Sequence, residues 1–267
     1  MKVPIWRDTK MNKYLVVNSC LAVSLCALMA FSGCGDFKAK YEKTENVSVP
    51  VGEAAELSVE TEVGSITVTG ADVNDCNITA EITVKAQTQE EARKLAEGVK
   101  IEARPSGDKL SVKVSKPAGL KKRSLAVNFK ITAPKQLKLD CSTNVGTLNI
   151  SGMNDRISAS TNVGSIFCKE VVKDIDLTSN VGSIEVSCAE TAEAAYNASI
   201  TTNVGSIEFA APAQLSAQVD ASTNVGSVST AKPITIVGKV SKSIKGTIGA
   251  GEGKVRLKTN VGSIKIN

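Results

Sequence analysis

Seven cysteines and a complete lack of histidine define the side-chain chemistry open to this chain of 267 residues. Without histidine there is no Ser-His-Asp or Cys-His nucleophile, and the commonest metal ligand is missing. Cys76, Cys141, Cys168 and Cys188 match neither a CxxC nor a zinc spacing. Cys141 and Cys168 fall at apolar positions of a repeat, so we expect buried free thiols there. Nothing selects a disulfide partner for Cys76 or Cys188, and no cofactor or metal is expected.

The N-terminal cysteine has a different setting. An apolar run, residues 14–31, follows basic residues and ends in Phe31-Ser32-Gly33-Cys34. Small residues directly before a cysteine resemble the bacterial lipobox, which implies that Cys34 is the lipid attachment site. We therefore expect a signal peptide at 1–33, with Met11 as an alternative start, and a lipidated tether at 34–47. An ordinary secretory signal and a retained membrane anchor are the alternatives.

Charge and composition narrow the class of partner. Residues 1–34 hold four of the 32 basic residues and one of the 27 acidic ones, which leaves 28 against 26, or +2, for the remainder. A nearly balanced domain does not predict a nucleic-acid partner. The expected partners are the membrane, which the protein contacts through its N-terminal lipid, and an envelope protein or polysaccharide. The expected location is the cell envelope, at the outer membrane or facing the periplasm in a Gram-negative cell.

A repeated phrase dominates the second half of the chain. It reads TNVGTLNI at 143–150, TNVGSIFC at 161–168 and TNVGSIKI at 259–266, and a first copy, TEVGSITV, stands at 61–68. From the second copy onward the glycines are 18, 18, 23, 21 and 36 residues apart. Periods near 20 residues indicate a solenoid of short β-rungs. We therefore predict a mainly β protein, a single-stranded parallel β-helix with rungs of about 18–23 residues and one short amphipathic helix.

Columns read down the repeat predict the wall of the solenoid. Apolar residues stand five and one residues before each glycine, and two and four after it, so all of these are expected to face inward. The change of phase requires a corner, which glycine can form at positive φ. The predicted corner residues are Gly64, Gly146, Gly164, Gly182, Gly205, Gly226 and Gly262. The predicted amide ladder along the stack is Asn144, Asn162, Asn180, Asn203, Asn224 and Asn260.

The rungs are expected to stack in chain order, with the Gly262 rung at the end. We divide the mature chain into N-terminal strands at 48–140 and solenoid repeats at 141–267. Within the first part, Thr88 and Glu91 form a capping box for a helix at 88–98, which we expect to cap the sheet. A stripe of small apolar residues on this helix supports that packing.

The order of these parts resembles the adhesin-like or DUF4097-type β-strand-repeat family of bacteria. The resemblance covers residues 48–267 and rests on EVGSITVTG, the helix TQEEARKLAEGVKIEA, the strand KLSVKV and the closing GTIGAGEGKVRLKTNVGSIKI. It implies a β-solenoid in a cell-envelope protein. It carries over no functional residues, because the activity of the family is poorly defined.

Three functions follow from the sequence. A repeat that carries no catalytic residue pattern favours a non-enzymatic envelope lipoprotein that is a scaffold for adhesion or binding. A β-helical polysaccharide-active enzyme would need clustered carboxylates, for which only Glu185 and Glu208 on neighbouring rungs are candidates. Binding to ice or another crystal surface would need two exposed Ser/Thr columns, but strand alternation turns one of them inward.

Overall fold

A computed structural model describes residues 38–118, 124–240 and 242–267, which contain one helix and 21 strands. The N-terminal elements are β1 (Ala39–Pro50), β2 (Glu56–Val63), β3 (Ile66–Ala71), β4 (Asp75–Ala86), α1 (Gln89–Gly98), β5 (Lys100–Ser106), β6 (Lys109–Ser115) and β7 (Ser124–Pro134). The next are β8 (Lys138–Val145), β9 (Leu148–Ser151), β10 (Ile157–Val163), β11 (Ile166–Val171), β12 (Ile175–Val181), β13 (Ile184–Cys188), β14 (Ala198–Val204) and β15 (Ile207–Ala210). The last are β16 (Ala217–Val225), β17 (Val228–Thr230), β18 (Thr235–Val240), β19 (Ser243–Ile248), β20 (Gly253–Val261) and β21 (Ile264–Ile266).

Each repeat supplies one rung made of two strands, which meet at the Asn-Val-Gly-Ser corner. The first strand joins an 11-stranded sheet and the second joins a 10-stranded sheet. Neighbouring rungs pair in parallel and in register, as Ile157 with Ile175 and Ile166 with Ile184 show. The fold is therefore mainly β and a solenoid-like β-repeat.

The core lies between the two sheets and is built from the predicted columns. The residues five before each glycine are all buried: Val59, Cys141, Ala159, Leu177, Ile200, Ala221 and Leu257. The columns two and four after the glycine are also buried, except on the short edge strand β17. Because in-register stacking places like side chains over one another, the aliphatic columns fill the interior with few aromatic rings.

The valine before each glycine was expected to face inward, and this prediction is wrong. All seven are exposed, from 39% at Val63 to 60% at Val225. The last inward residue is instead the Ser or Thr three before the glycine, such as Thr202 at 1% exposure. The chain begins its turn at the Asn-Val pair, so alternation ends two residues earlier than the sequence pattern implied.

The stacking order also differs from chain order. The last rung, β20 and β21, lies between the β14–β15 rung and the β16–β17 rung. Gly262 is thus an interior corner, and the end corner belongs to Gly226. The physical reason is the hairpin β18–β19 within the 36-residue spacing, because β19 pairs antiparallel with the outer edge of β16. The returning chain therefore pairs with the inner edge of β16 and with β14.

The first rung belongs to the same stack, although Gly64 and Gly146 are 82 positions apart in the sequence. β2 pairs with β8, and β3 pairs with β9, both in parallel. The predicted boundary at 140/141 falls inside β8 and marks no break in either sheet. The intervening strands extend the sheets outward instead, as β6 and β5 in one sheet and as β7, β4 and β1 in the other.

The predicted signal peptide, Cys34 and the first residues of the predicted tether lie outside the described residues, and the described part of the tether is largely a strand. β1 starts at Ala39 and pairs antiparallel with β4 along its whole length, from Ala39 with Ala86 to Pro50 with Asp75. Its residues alternate between half-buried and exposed. Charged residues are typical of an edge strand, where they discourage pairing with other chains, so a polar composition did not identify a flexible tether here.

Helix α1 occupies Gln89–Gly98 and packs on β1 and β4. The Thr88 hydroxyl accepts from the backbone N–H of Glu91 at 3.2 Å. The Glu91 carboxylate accepts from the backbone N–H of Gln87 at 3.3 Å. Ala92, Ala96 and Val99 are fully buried, which places the helix against the inner side of the 10-stranded sheet near its edge.

Candidate functional site

The predicted asparagine column forms a continuous ladder on the surface of the corner. Each amide nitrogen donates to the amide oxygen of its neighbour at 2.8–3.1 Å: Asn162 to Asn144, Asn180 to Asn162, Asn203 to Asn180, Asn260 to Asn203 and Asn224 to Asn260. In the first rung Glu62 replaces Asn and forms an ion pair with Lys116. Because the amides bond to one another along the stack, their geometry is that of a structural ladder.

Glycine is required at each corner because neighbouring backbone approaches it closely. Six of the seven have φ between 137° and 151°, and at all seven an added Cβ would overlap neighbouring backbone, which belongs to β7 at Gly64 and to the adjacent rung at the other six. At Gly182 (φ 151°) the overlap is with the carbonyl oxygen of Gly164. Only glycine combines this conformation with such a close backbone contact.

The inward Ser/Thr column is a second ladder, to which the sequence analysis assigned no role. Six hydroxyls donate at 2.9–3.2 Å to the carbonyl oxygen of a corner glycine on the adjacent rung: Thr143 to Gly64, Thr161 to Gly146, Ser179 to Gly164, Thr202 to Gly182, Thr259 to Gly205 and Thr223 to Gly262. The available signal was a Ser or Thr three residues before the glycine in every copy. The hydrogen-bonding role of this Ser or Thr follows only from the corner geometry, which places a glycine carbonyl of the adjacent rung beside the hydroxyl.

A lattice-binding face would need two exposed hydroxyl columns, and the described residues supply one. The inward column is buried and bonded to the glycine carbonyls. The outward column starts as Ser142, Ser160, Thr178 and Thr201 and is then interrupted by Lys258. The corner therefore lacks the flat double column that surface binding would require.

The carboxylate pair Glu185 and Glu208 does lie side by side on β13 and β15. Glu208 accepts from Asn267 Nδ2 at 2.8 Å and from Lys265 Nζ at 3.3 Å. These hydrogen bonds and the positive charge of Lys265 lower the pKa of Glu208. A general acid needs a raised pKa, so the environment of Glu208 is the opposite of what glycoside hydrolysis requires.

The cysteines of the described region are free thiols. Cys76, Cys141 and Cys168 are buried, and Cys188 is half-buried. Burial raises the pKa of Cys76 and of Cys168 to about 12, and that of Cys188 to about 11. Reactive and metal-binding thiols require a lowered pKa. Among the described residues no cluster of three or more Cys, Asp or Glu side chains could hold a metal ion.

A groove of about 790 Å³ lies on the outer face of the 11-stranded sheet. It crosses β12, β14, β20, β16 and β19 and is bounded by Arg156, just before β10. Its charged or amide side chains are Arg156, Asp174, Asp176, Asn197, Gln218, Asp220, Lys245, Lys254 and Arg256. Since each rung contributes only a few of these groups, the groove exists only in the assembled stack.

The acidic groups of the groove have partners, whereas part of its positive charge does not. Asp220 lies 3.6 Å from Lys245, and Asp176 lies 4.0 Å from Arg156. Asp174 accepts from the amide of Asn197 at 3.3 Å. No carboxylate of the described chain lies within ion-pair distance of Lys254 or Arg256. The groove is therefore polar, with its unpaired cations on β20.

Two sheets joined by stacked corners define a solenoid-like β-repeat protein. The chain belongs to the DUF4097 "Toastrack" family, and the sequence model of that family matches residues 27–267. No curated protein matches it.

Two solved structures resemble this chain to different degrees. A proposed cell adhesion protein from Clostridium sporogenes is 15% identical, with a TM-score of 0.54 over 85% of this chain and 99% of its own. A proposed adhesin from Bacteroides fragilis is 16% identical, with a TM-score of 0.42 over 84% of this chain and 97% of its own. The first likeness shows the fold.

The described residues contain no helix whose length and apolar character would let it cross a membrane.

Proposed function

We propose that this protein is a non-enzymatic lipoprotein of the cell envelope that binds a surface polymer in the groove of its 11-stranded sheet. The supporting observation is the groove itself, which is open, about 790 Å³ in volume and lined by residues from five strands. A rigid sheet holds these groups at fixed spacings, so an extended ligand can contact several rungs at once. The solenoid is a parallel β-helix in this proposal, and its repetition supplies a long binding face.

The N-terminus supplies the attachment. Cys34 carries the lipid and anchors the protein in the membrane, while residues 1–33 are removed. Five positions separate Cys34 from Ala39, where β1 begins, so the linker spans at most about 17 Å. The folded domain therefore stays close to the membrane surface. Two acyl chains are sufficient for stable anchoring.

The anchoring is tested at Cys34. Cys34→Ala should leave the precursor unprocessed, because no acyl chain can then be attached, and residues 1–33 with their apolar run should remain on the protein. The mass of the mature N-terminal peptide should show a diacyl modification in the natural sequence only. Cleavage of the Cys34→Ala variant after residue 33, or a natural mature peptide without the acyl mass, would contradict the proposal.

The groove is tested by filling it. Ser199 is exposed on β14 and lines the groove, so Ser199→Trp should obstruct an extended ligand. Ser111 projects from the same sheet on β6, at the opposite end, and Ser111→Trp is the matched control. We expect retention of the envelope polysaccharide fraction by the full-length protein in neutral detergent to fall at least about tenfold, a loss of about 1.4 kcal/mol, with Ser199→Trp only. Equal retention by both variants would exclude the groove.

A further inference from the structure

We propose that the ligand of this groove is an anionic polysaccharide, bound through a row of three cations on β20: Lys254, Arg256 and Lys258. The inference rests on the proposed function of the groove and names its ligand class. The row begins inside the groove, which Lys254 and Arg256 line, and continues past it at Lys258.

The row is a consequence of strand alternation in the Lys254-Val255-Arg256-Leu257-Lys258 segment. Val255 and Leu257 are buried at 1% and 0% exposure, which turns the three cations to the outer face. Alternate residues of a strand are about 6.6 Å apart, so the row extends about 13 Å. Like charges at this spacing repel one another, and an anionic partner would relieve that repulsion.

The neighbouring strands leave the row almost without countercharge. On β14 the adjacent residues are Ser199 and Thr201, next to Arg256 and Lys258. On β16 they are Gln218, Asp220 and Ser222. Asp220 pairs with Lys245 on its other side, at 3.6 Å. Apart from Asp220, which is paired with Lys245, the neighbours of the cations on these two strands carry hydroxyl and amide groups.

The opposite end of the same sheet shows a different arrangement. There Lys109 lies 2.8 Å from Glu56, and Lys113 lies 3.4 Å from Glu60. These cations are neutralised across β2 and β6, whereas in the described part of the chain Lys254, Arg256 and Lys258 have no ion pair. The unpaired charge is therefore a local feature of the β20 region.

The shape and lining favour a polysaccharide over other anions. The site is concave and crosses several strands, which suits an extended chain better than a flat bilayer surface. No aromatic ring lines the groove, so the face-on stacking used for bases in single-stranded nucleic acid is not available. Hydroxyls and amides beside the cations can instead bond to sugar hydroxyls, while the cations bind carboxylates or sulfates.

The test compares two triple variants of equal charge change. Lys254→Gln/Arg256→Gln/Lys258→Gln removes the row, and Lys109→Gln/Lys113→Gln/Lys138→Gln removes three cations from the other end of the same face. The full-length protein in neutral detergent is titrated with polygalacturonate, with neutral dextran and with vesicles containing anionic lipid. We expect the row variant alone to lose about tenfold in affinity for polygalacturonate. The natural protein should bind more weakly at 0.2 M than at 0.05 M salt.

The outcomes separate the two proposals. Equal losses in both triple variants, or binding of dextran as tight as that of polygalacturonate, would overturn the anionic-ligand inference. So would binding of anionic vesicles without binding of polygalacturonate. If the row variant binds normally while Ser199→Trp still abolishes retention of the envelope fraction, the groove stands and only the charge-based inference fails. If Ser199→Trp has no effect, the proposed function fails as well.

Discussion

At each corner, adjacent side chains have different structural tasks. The inward hydroxyl bonds to a glycine carbonyl, the outward Asn bonds to the next Asn, and the glycine lets two rungs approach. Thr202, Asn203 and Gly205 illustrate the three roles within four residues. The valine between them is exposed and packs into no core, which fits the preference of β-branched residues for extended backbone.

The buried hydroxyl can be tested with its half-buried, outward-facing neighbour as a control. Thr202→Val removes the donor to the Gly182 carbonyl, so we expect a loss of about 1–2 kcal/mol in the free energy of unfolding. Thr201 faces outward, and Thr201→Val should change stability by less than about 0.5 kcal/mol. Urea unfolding with matched m-values measures both. Similar effects of the two variants would contradict a structural role for the inner ladder.

A corner glycine can be compared with a glycine in open space. Gly182→Ala combines a strained φ, about 1–2 kcal/mol, with overlap on the adjacent rung, about 1–3 kcal/mol, so we expect a loss of about 3 kcal/mol or more. Gly52 also has positive φ, at 60°, but a Cβ there meets nothing within 4 Å. Gly52→Ala should therefore lower the free energy of unfolding only by the cost of the strained φ. Equal unfolding midpoints for the two variants would show that the rungs can move apart.

At the scale of elements, the sheet ends are protected in different ways. The hairpin β18–β19 covers β16, and β5 with β6 covers β2. The exposed edge β17 has only three residues, and the exposed edge β1 carries four charged side chains that form ion pairs within the strand. Short and charged edges discourage pairing with other chains, which matters for a protein made of open parallel sheets.

The capping helix offers a test at the same scale. Thr88→Ala removes the acceptor for the Glu91 backbone N–H, so we expect a loss of about 1 kcal/mol in the free energy of unfolding. Lys94 is exposed in the middle of the helix, and Lys94→Ala should change stability by less than about 0.5 kcal/mol. Chemical unfolding of the full-length protein measures both. An unaffected Thr88→Ala would indicate that tertiary packing on β1 and β4 alone holds the helix.

At the scale of the whole molecule, the insertion of the final rung is the main topological feature. β20 and β21 close a gap that the chain leaves between β14 and β16, so the end of the sequence lies inside the stack. The same insertion places the basic row of β20 between two strands whose neighbouring side chains are hydroxyl and amide groups, except for Asp220. The groove and its cations thus depend on a long-range pairing.

This topology predicts the effect of truncation. A chain that ends at Gly251 lacks β20 and β21, and its β14 and β16 lose the strand that joins them. We expect loss of cooperative unfolding and rapid proteolysis of the segment from Ala217 onward, because no neighbouring rung supports it. Circular dichroism during thermal unfolding and limited proteolysis measure this. A truncated chain that unfolds cooperatively with nearly natural stability would indicate stacking in chain order.

The sequence by itself determined the class of fold and the repeating unit. Apolar columns around each glycine identified the buried wall, because strand alternation and in-register stacking act on every copy alike. Thr88 and Glu91 identified the start of the helix, because capping is a local interaction. Both signals depend on residues a few positions apart.

Only the tertiary structure decided the features that depend on distant pairings. The exposure of Val181 follows from where the backbone turns, and the interior place of Gly262 follows from a hairpin that occupies one edge of β16. The strand at Ala39–Pro50 forms because β4 offers it a partner, although its composition is that of a polar linker. Arg256 meets Asp220 and Ser199 only across strands far apart in the sequence. Local patterns determine what a segment can form, while competition among sheet edges determines its neighbours, and no local pattern records that competition.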